Sequence, residues 1–387
     1  MVLLTAAALT LIVPAASGQG SQPGSQPGFQ QLAAQAASAR AAGQLADAVT
    51  LYGQALKINP GWAAGWWYLG QLDYAGNNYA PAVAAFTHYL GLEPKASPAM
   101  ALRGLCEFRL GEYAASLSDV QSALAAGAAN DPRNSQILRF HEGLLLTKLG
   151  RFEEALAAYR WFAQQHLANQ EMLVAVGLAA LRAPELPEEA PPAMQAEALL
   201  AGQAIFPLLA KDTADATQAL HRFSIRYPTA ANMHYTFGYL LYPIDEDAAI
   251  GQFRKEIAVN PGSPIAYSML AWILLMEHDP ASALPVARKA VAVAPSSPLA
   301  QLCLGSALVD TGDVQSGLPL LESARASNPN DLEVRLALAR AYSEAGQVAA
   351  ARRERAICIQ MAKAGRNPAA AMGGQRMARP EEGNPAN

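Results

Sequence analysis

The sequence predicts an all-α fold, an α-α superhelical solenoid of about nine helix–turn–helix units, and three observations support this prediction. First, prolines and glycines recur 34 residues apart in matching contexts, which is typical of stacked repeats. Second, the stretches between them show helical periodicity, and none reads convincingly as a strand. Third, only 16% of the 387 residues are charged, as expected where most helices touch neighbours on both sides. The markers at this spacing are Pro60 and Pro94, Pro261, Pro295 and Pro329, Gly70 and Gly104, Gly143 and Gly177, and Gly312 and Gly346.

Each unit reads as a helix, a short turn with Gly or Asn, a second helix and then a proline, as a comparison of residues 66–94 with 302–329 illustrates. A proline cannot continue the helix that precedes it, so it ends the second helix of its unit. A small residue midway along the first helix lets the second helix cross closely. We therefore expect helices to stop at the pairs Asn59-Pro60, Glu93-Pro94, Asp131-Pro132, Asn260-Pro261 and Asn328-Pro329.

This pattern resembles the tetratricopeptide repeat, in which Trp, Leu, Gly and Tyr mark the first helix, Ala and Phe the second, and Pro the end. The second unit matches that pattern at Trp66, Leu69, Gly70, Ala82, Phe86 and Pro94. The resemblance covers roughly residues 29–363 and is strongest in units two, four, seven and eight. It implies a solenoid that binds other proteins. Arginine exceeds lysine and Ala, Gly and Pro are abundant, which suggests a bacterial origin.

The amino terminus predicts export. Residues 2–16 form an apolar run that is followed by small residues, so we interpret residues 1–18 as a signal peptide that is cleaved near Gly18. No Lys or Arg precedes the run, and the run is shorter than the roughly 20 residues of a membrane-spanning helix. We expect a periplasmic or extracellular protein with no stable transmembrane anchor after cleavage. If the run is not a signal, the protein is cytoplasmic.

The remaining organisation follows from composition. The segment 182–194 contains several prolines and glutamates; it is either an exposed insertion between repeats or a linker between two arrays, and we favour the insertion. The predicted parts are a flexible Gly/Ser/Gln/Pro linker at 19–28, an N-terminal array at 29–181, the insertion at 182–194, an atypical helical hairpin at 195–229, a C-terminal array with a capping helix at 230–365, and a disordered tail at 366–387.

The sequence offers little chemistry. A net charge of −4 with no basic stripe argues against nucleic-acid binding. The three cysteines and six histidines are scattered, and no phosphate loop, zinc motif or nucleophile elbow is present. Adjacent carboxylates such as Glu153 and Glu154 diverge on a helix, where they suit the positive end of the helix dipole. We therefore predict no enzyme activity, no cofactor and no metal.

A binding groove is predicted from the resemblance, because in this family the first helix of each unit lines the concave face. The positions that point into that face carry aromatic side chains and a few basic ones, which suit binding hot spots. Some of these rings could instead belong to the core between repeats. The candidate groove residues are Trp67, Gln71, Tyr74, Phe108, Arg109, Phe140, Lys148, Tyr235, Tyr239, Tyr242, Trp272 and Met276.

The predicted function is a non-catalytic scaffold that binds a partner protein or an extended peptide in this groove. The Lys, Asn and Arg clamp by which related repeats hold a terminal carboxylate is not present, so an apolar or extended segment is the better hypothesis. Two alternatives stay open. One is an accessory subunit or enzyme of cell-envelope or polysaccharide processing, with repeats that shape a cleft. The other is a carrier of an apolar ligand.

Overall fold

The computed structural model describes residues 27–363, and the predicted signal peptide, residues 19–26 of the linker and the predicted tail lie outside this range. Between residues 27 and 363 the chain forms 19 α-helices and one short 3-10 turn, with no strand. The all-α prediction is therefore confirmed. The chain divides into two compact units between Leu149 and Gly150, which are called the first and the second unit below.

The first unit consists of three helical hairpins and a seventh helix. Each odd-numbered helix packs against the even-numbered helix that follows it, and each hairpin packs against the next. A 3-10 turn at Ala128–Asn130 precedes α7. The helices are α1 (Pro27–Ala41), α2 (Leu45–Ile58), α3 (Ala63–Ala75), α4 (Tyr79–Leu92), α5 (Ser97–Leu110), α6 (Tyr113–Ala125) and α7 (Pro132–Lys148).

The second unit continues with the same kind of pairing, except that α10 packs against both α9 and α11. Four regular hairpins follow, from α12/α13 to α18/α19. The helices are α8 (Phe152–Gln164), α9 (Gln170–Ala180), α10 (Pro192–Leu209), α11 (Thr213–Arg226), α12 (Met233–Leu241), α13 (Glu246–Val259), α14 (Pro264–Met276), α15 (Pro280–Val293), α16 (Pro298–Asp310), α17 (Val314–Ser327), α18 (Leu332–Glu344) and α19 (Val348–Lys363).

The recurrent prolines end helices as predicted. Helices α2, α4, α13, α15 and α17 each end two residues before Pro60, Pro94, Pro261, Pro295 and Pro329. The prediction for Asp131-Pro132 is wrong, because this pair begins a helix. Pro132 is the first residue of α7, where its missing N–H costs nothing, and Asp131 accepts a hydrogen bond from the backbone N of Asn134 at 2.8 Å.

Glycines allow close contact where two helices cross. At Gly70 the ring of Phe86 lies where a Cβ would be, with a ring carbon 2.7 Å from the ideal Cβ position. The contact between α9 and α10 is closer still. An ideal Cβ at Gly177 would lie 1.7 Å from the carbonyl oxygen of Ala198, and one at Gly202 would lie 1.8 Å from that of Leu173. Only glycine fits at these two crossings.

The proline- and glutamate-rich segment lies inside the second unit, between α9 and α10, and its last residues from Pro192 onward belong to α10. Leu186 and Ala190 are buried. The side-chain amide of Gln195 donates to the carbonyl oxygens of Pro187 at 3.0 Å and Ala190 at 2.8 Å. These bonds satisfy backbone groups that the irregular segment cannot pair by itself.

The first helix after this region, α12, packs against the end of α9. The amide of Asn232 donates to the carbonyl oxygen of Leu181 at 3.1 Å, and the hydroxyl of Thr236 donates to that of Ala180 at 2.7 Å. Both acceptors are carbonyls at the C-terminal end of α9, which have no partner within that helix. The buried carboxylate of Glu256 accepts from the backbone N of Asn232 at 2.7 Å and so holds the start of α12.

Candidate functional site

A tyrosine pair and an arginine come together at one edge of the first unit. The rings of Tyr74, near the end of α3, and Tyr79, the first residue of α4, have centroids 6.3 Å apart. Arg109, near the end of α5, places its Cζ 5.8 Å from the centroid of Tyr79, and its Nε donates to the Tyr79 hydroxyl at 3.5 Å. Burial raises the pKa of Tyr74. Tyr74 and Tyr79 are half-buried and Arg109 is exposed, so rings and charge share a solvent-accessible surface.

The next repeat builds the same arrangement. Lys148, the last residue of α7, places its Nζ 5.6 Å from the ring centroid of Tyr113, the first residue of α6. The ring of Tyr113 lies 6.0 Å from that of Phe108, and His141 lies 5.0 Å from Phe108 and 6.4 Å from Phe140. Burial lowers the pKa of His141, and the positive charge of Arg109 lowers it further. A continuous series of ring contacts therefore joins three successive helices.

One rule describes both arrangements. An aromatic residue opens the second helix of a repeat, and a cation from the end of the next repeat's first helix lies over its ring, which is a favourable cation–π geometry. We call each such pair a rung. We call the surface formed by both rungs and the adjacent rings the tyrosine–cation surface, made of Tyr74, Tyr79, Phe108, Arg109, Tyr113 and Lys148.

A third rung lies in the second unit, where it is part of a denser cluster. The Cζ of Arg182 is 4.9 Å from the ring centroid of Phe152, the first residue of α8, and 5.3 Å from that of Tyr235. Arg182 forms an ion pair with Glu153, and the hydroxyl of Tyr235 donates to the same carboxylate oxygen at 2.9 Å. Arg182 adopts a left-handed backbone with φ of 58°, which is uncommon for a residue with a Cβ.

Tyr239 completes this second cluster. Its ring stacks on that of Tyr235 with centroids 6.2 Å apart. Burial raises the pKa of Tyr239 to about 12, and the negative charge of Glu153 adds to the shift while Arg160 and Arg182 oppose it. Burial likewise raises the pKa of Tyr235 well above its ordinary value. Both hydroxyls are therefore protonated donors at neutral pH.

The structure brings together Tyr74, Arg109, Phe108, Lys148 and Phe140 in the first unit, and Tyr235 with Tyr239 in the second. Other predicted groove residues lie elsewhere. Trp67 packs in the core against Phe86 and Tyr89, with centroids 5.9 and 5.4 Å away. Gln71 and Tyr242 are half-buried, and Met276 is 49% exposed. Trp272 packs against the core cluster of the last three hairpins.

Four of the predicted groove residues are core residues by burial. Trp67, Phe108, Phe140 and Tyr235 are between 2% and 7% exposed. They are large rings on first helices that fill the gap to a neighbouring helix, which the repeat pattern also requires. The alternative stated above, that some of these rings belong to the core, therefore describes these four positions, and Phe108 supports the tyrosine–cation surface from below.

Sequence reasoning missed four residues of these clusters, namely Tyr79, Tyr113, Glu153 as a partner of Arg182, and Arg182 itself. Tyr79 and Tyr113 lie 34 residues apart, so the repeat spacing could have paired them. Glu153 does lie in the first turn of α8, as predicted. Its contacts with Arg182 and Tyr235 are made by residues 29 and 82 positions away, and no local pattern announces them.

The remaining titratable groups give no sign of a metal centre. Between residues 27 and 363, no group of three or more His, Cys, Asp or Glu side chains is placed to hold a metal ion. The three cysteines are buried, and burial raises the pKa of both Cys106 and Cys303 to about 12, which suppresses thiolate chemistry. A cleft of about 340 Å³ lies among α9, α10 and α11, lined by Leu173, Phe206, Pro207 and several polar residues.

Comparison with protein families places the chain. Tetratricopeptide repeat models match residues 33–97, 69–132, 140–204 and 308–356, which together make up more than half of the chain. The chain belongs to the tetratricopeptide repeat family. Family membership supports a protein-interaction scaffold in general, on a repeat fold that is generally non-catalytic. No curated protein sequence matches the chain.

Several solved structures are similar to it. A MamA fragment from Desulfovibrio magneticus RS-1 is 19% identical, covering 43% of this chain and 96% of that one with a TM-score of 0.38. Yeast Tom70 is 12% identical, covering 89% and 94% with a TM-score of 0.31. A tetratricopeptide repeat protein from Parabacteroides merdae ATCC 43184 is 15% identical, covering 82% and 99% with a TM-score of 0.32. Within residues 27–363, no helix is both long and apolar enough to span a membrane.

Proposed function

We propose that this protein is a scaffold that binds an extended segment of a partner protein along the tyrosine–cation surface of its first unit. The observation that carries the proposal is the pair of rungs, in which Arg109 and Lys148 lie over the rings of Tyr79 and Tyr113. Rings and cations held in this way offer large contact area with little loss of side-chain entropy on binding.

Exposure supports this choice of surface. Arg109 is exposed, and Tyr74, Tyr79, Tyr113 and Lys148 are half-buried, so a ligand reaches them without a change in the fold. The rings beneath them, such as Phe108, are packed against their neighbours and hold the tyrosines in place. A rigid aromatic surface with a polar rim is the usual composition of a binding hot spot.

The cluster in the second unit supports the same choice by contrast. There the cation Arg182 and the hydroxyl of Tyr235 share the carboxylate of Glu153. Tyr235 is 2% exposed. These groups satisfy one another inside the protein, so we assign them to structure and assign partner binding to the first unit.

Site-directed photocrosslinking tests the proposal. A benzophenone amino acid replaces Tyr74 in the full-length protein, and a matched variant carries it at Tyr227, a half-buried tyrosine of the second unit that also lies under an arginine, with the Cζ of Arg226 at 5.4 Å from its ring. We expect crosslinks in the native cell from position 74 that map to one contiguous segment of a partner protein. Equal crosslinking from both positions, or scattered attachment sites, would contradict the assignment.

A further inference from the structure

We propose that the partner segment is acidic, and that the two rungs of the first unit bind carboxylates of Asp or Glu residues within that segment. The inference rests on the proposed function and adds the chemistry of the ligand. It comes from comparing the three rungs with one another, since they occupy equivalent repeat positions.

The third rung shows what a cation in this position binds. Phe152 opens α8 and Glu153 follows it, and the carboxylate of Glu153 pairs with Arg182, the cation that lies over the Phe152 ring. The hydroxyl of Tyr235 donates to the same oxygen at 2.9 Å. A carboxylate beside a guanidinium and a phenol is bound by charge-assisted hydrogen bonds, which are about twice as strong as neutral ones.

The first two rungs lack this built-in carboxylate. Tyr79 is followed by Ala80 and Tyr113 by Ala114, at the second positions of α4 and α6. Both alanines are exposed, so the space that the Glu153 side chain fills at the third rung is open to solvent here. The geometry of ring and cation is kept while the acidic side chain is absent from the chain, and a partner carboxylate can occupy the equivalent place.

The local charge agrees with an acidic ligand. Arg109 and Lys148 supply two positive charges on this surface, and His141 beneath them has a pKa that burial lowers, so it is neutral. Glu112, which precedes Tyr113, is an exposed acid in the same turn. Phenol hydroxyls at Tyr79 and Tyr113 add donors beside the cations. The ligand carboxylates belong to side chains of an extended segment, because each rung offers one cation and the two rungs belong to successive repeats.

Installing the missing carboxylates tests the comparison of rungs directly. In A80E and A114E, the new side chain should pair with Arg109 or Lys148, as Glu153 pairs with Arg182. An acid in the first turn also suits the helix dipole. A80E should raise the melting temperature more in the wild-type background than in an R109Q background. An equal rise in both backgrounds would contradict the equivalence of the rungs.

Binding is measured with a phage-display library of random linear peptides selected on the full-length protein. Peptides selected by the wild type should be enriched in Asp and Glu and should bind more weakly as salt is raised. The double variants A80E/A114E and R109Q/K148Q should each weaken their binding by at least about tenfold, the size expected at a hot spot. The matched control A84E/S118E, which adds the same charge at exposed positions of α4 and α6, should bind them like the wild type.

The outcomes separate the two proposals. Peptides that the Y79A/Y113A variant no longer binds, but that are not acidic or that A80E/A114E binds like the wild type, would overturn the acidic ligand and leave the binding surface standing. If no peptide is selected, or if Y79A/Y113A binds the selected peptides unchanged, the proposed function fails and the inference fails with it.

Discussion

Glu107 on α5 shows how burial alone changes a side chain's chemistry. It is 7% exposed, and its Oε2 has no hydrogen-bond partner within residues 27–363. Burial raises its pKa to about 7, the nearby charge of Asp119 adds to the shift, and Arg103 opposes it. Arg103 is committed to Asp119, which it binds through Nε at 2.6 Å and Nη2 at 2.8 Å.

This residue predicts a pH dependence of stability. In the unfolded chain Glu107 titrates near 4.5, whereas in the folded protein it keeps its proton up to about pH 7. Its contribution is therefore fully present below pH 4.5 and is lost as pH rises toward 7, by up to about 3 kcal/mol. Chemical denaturation at several pH values should show a shallower decline for E107Q than for the wild type. The exposed control E112Q should decline like the wild type, and an unchanged slope in E107Q would refute the prediction.

Single residues also show where the sequence was sufficient and where it was not. The resemblance placed Arg109 and Lys148 on a binding face, and both lie on the tyrosine–cation surface. It could not separate Trp67 from Tyr74, because both are aromatic residues on α3. Their fates differ by which neighbouring helix each ring meets, and only the packed structure determines that.

Among the elements, the helices that end at recurrent prolines were predicted closely, since a proline limits the preceding helix wherever the chain folds. The region from α9 to α12 was not, because the 34-residue spacing lapses there. Gly177 was recognised as a repeat glycine. Its counterpart Gly202 lies on α10 beyond an irregular segment, so no fixed spacing links the two, although both sit at the crossing of α9 and α10.

That crossing gives a prediction for one pair of elements. In G177A the new Cβ would meet the Ala198 carbonyl oxygen at 1.7 Å, so α9 and α10 must separate, at a cost of about 3 kcal/mol or more. G251A is the matched control, because Gly251 lies within α13 and faces open space. It should gain about 0.5–1 kcal/mol.

Hydrogen exchange read by mass spectrometry locates the effect. G177A should increase exchange in peptides from α9 and α10, with the first unit unchanged, because a repeat contacts only its neighbours. Wild-type exchange in α9 and α10 of the variant would show that these helices do not approach as closely as described.

For the whole molecule, the account rests on a division of labour between two units that share one architecture. In each, a cation from one repeat lies over a ring of the preceding repeat. In the second unit the chain supplies its own carboxylate through Glu153, and in the first unit alanines stand at the equivalent positions. The sequence contained these residues, but the rung joins the second helix of one repeat to the first helix of the next. It became visible only once those helices were packed together.

The most direct test of the central claim is the affinity of the crosslinked partner segment for the full-length protein, measured by isothermal titration calorimetry. We expect Y79A/Y113A to bind it at least about tenfold more weakly than the wild type, with circular dichroism confirming unchanged helical content. Y227A, which removes an arginine-covered tyrosine from the second unit, should bind it with wild-type affinity. Wild-type affinity in Y79A/Y113A, or an equal loss in Y227A, would contradict the account.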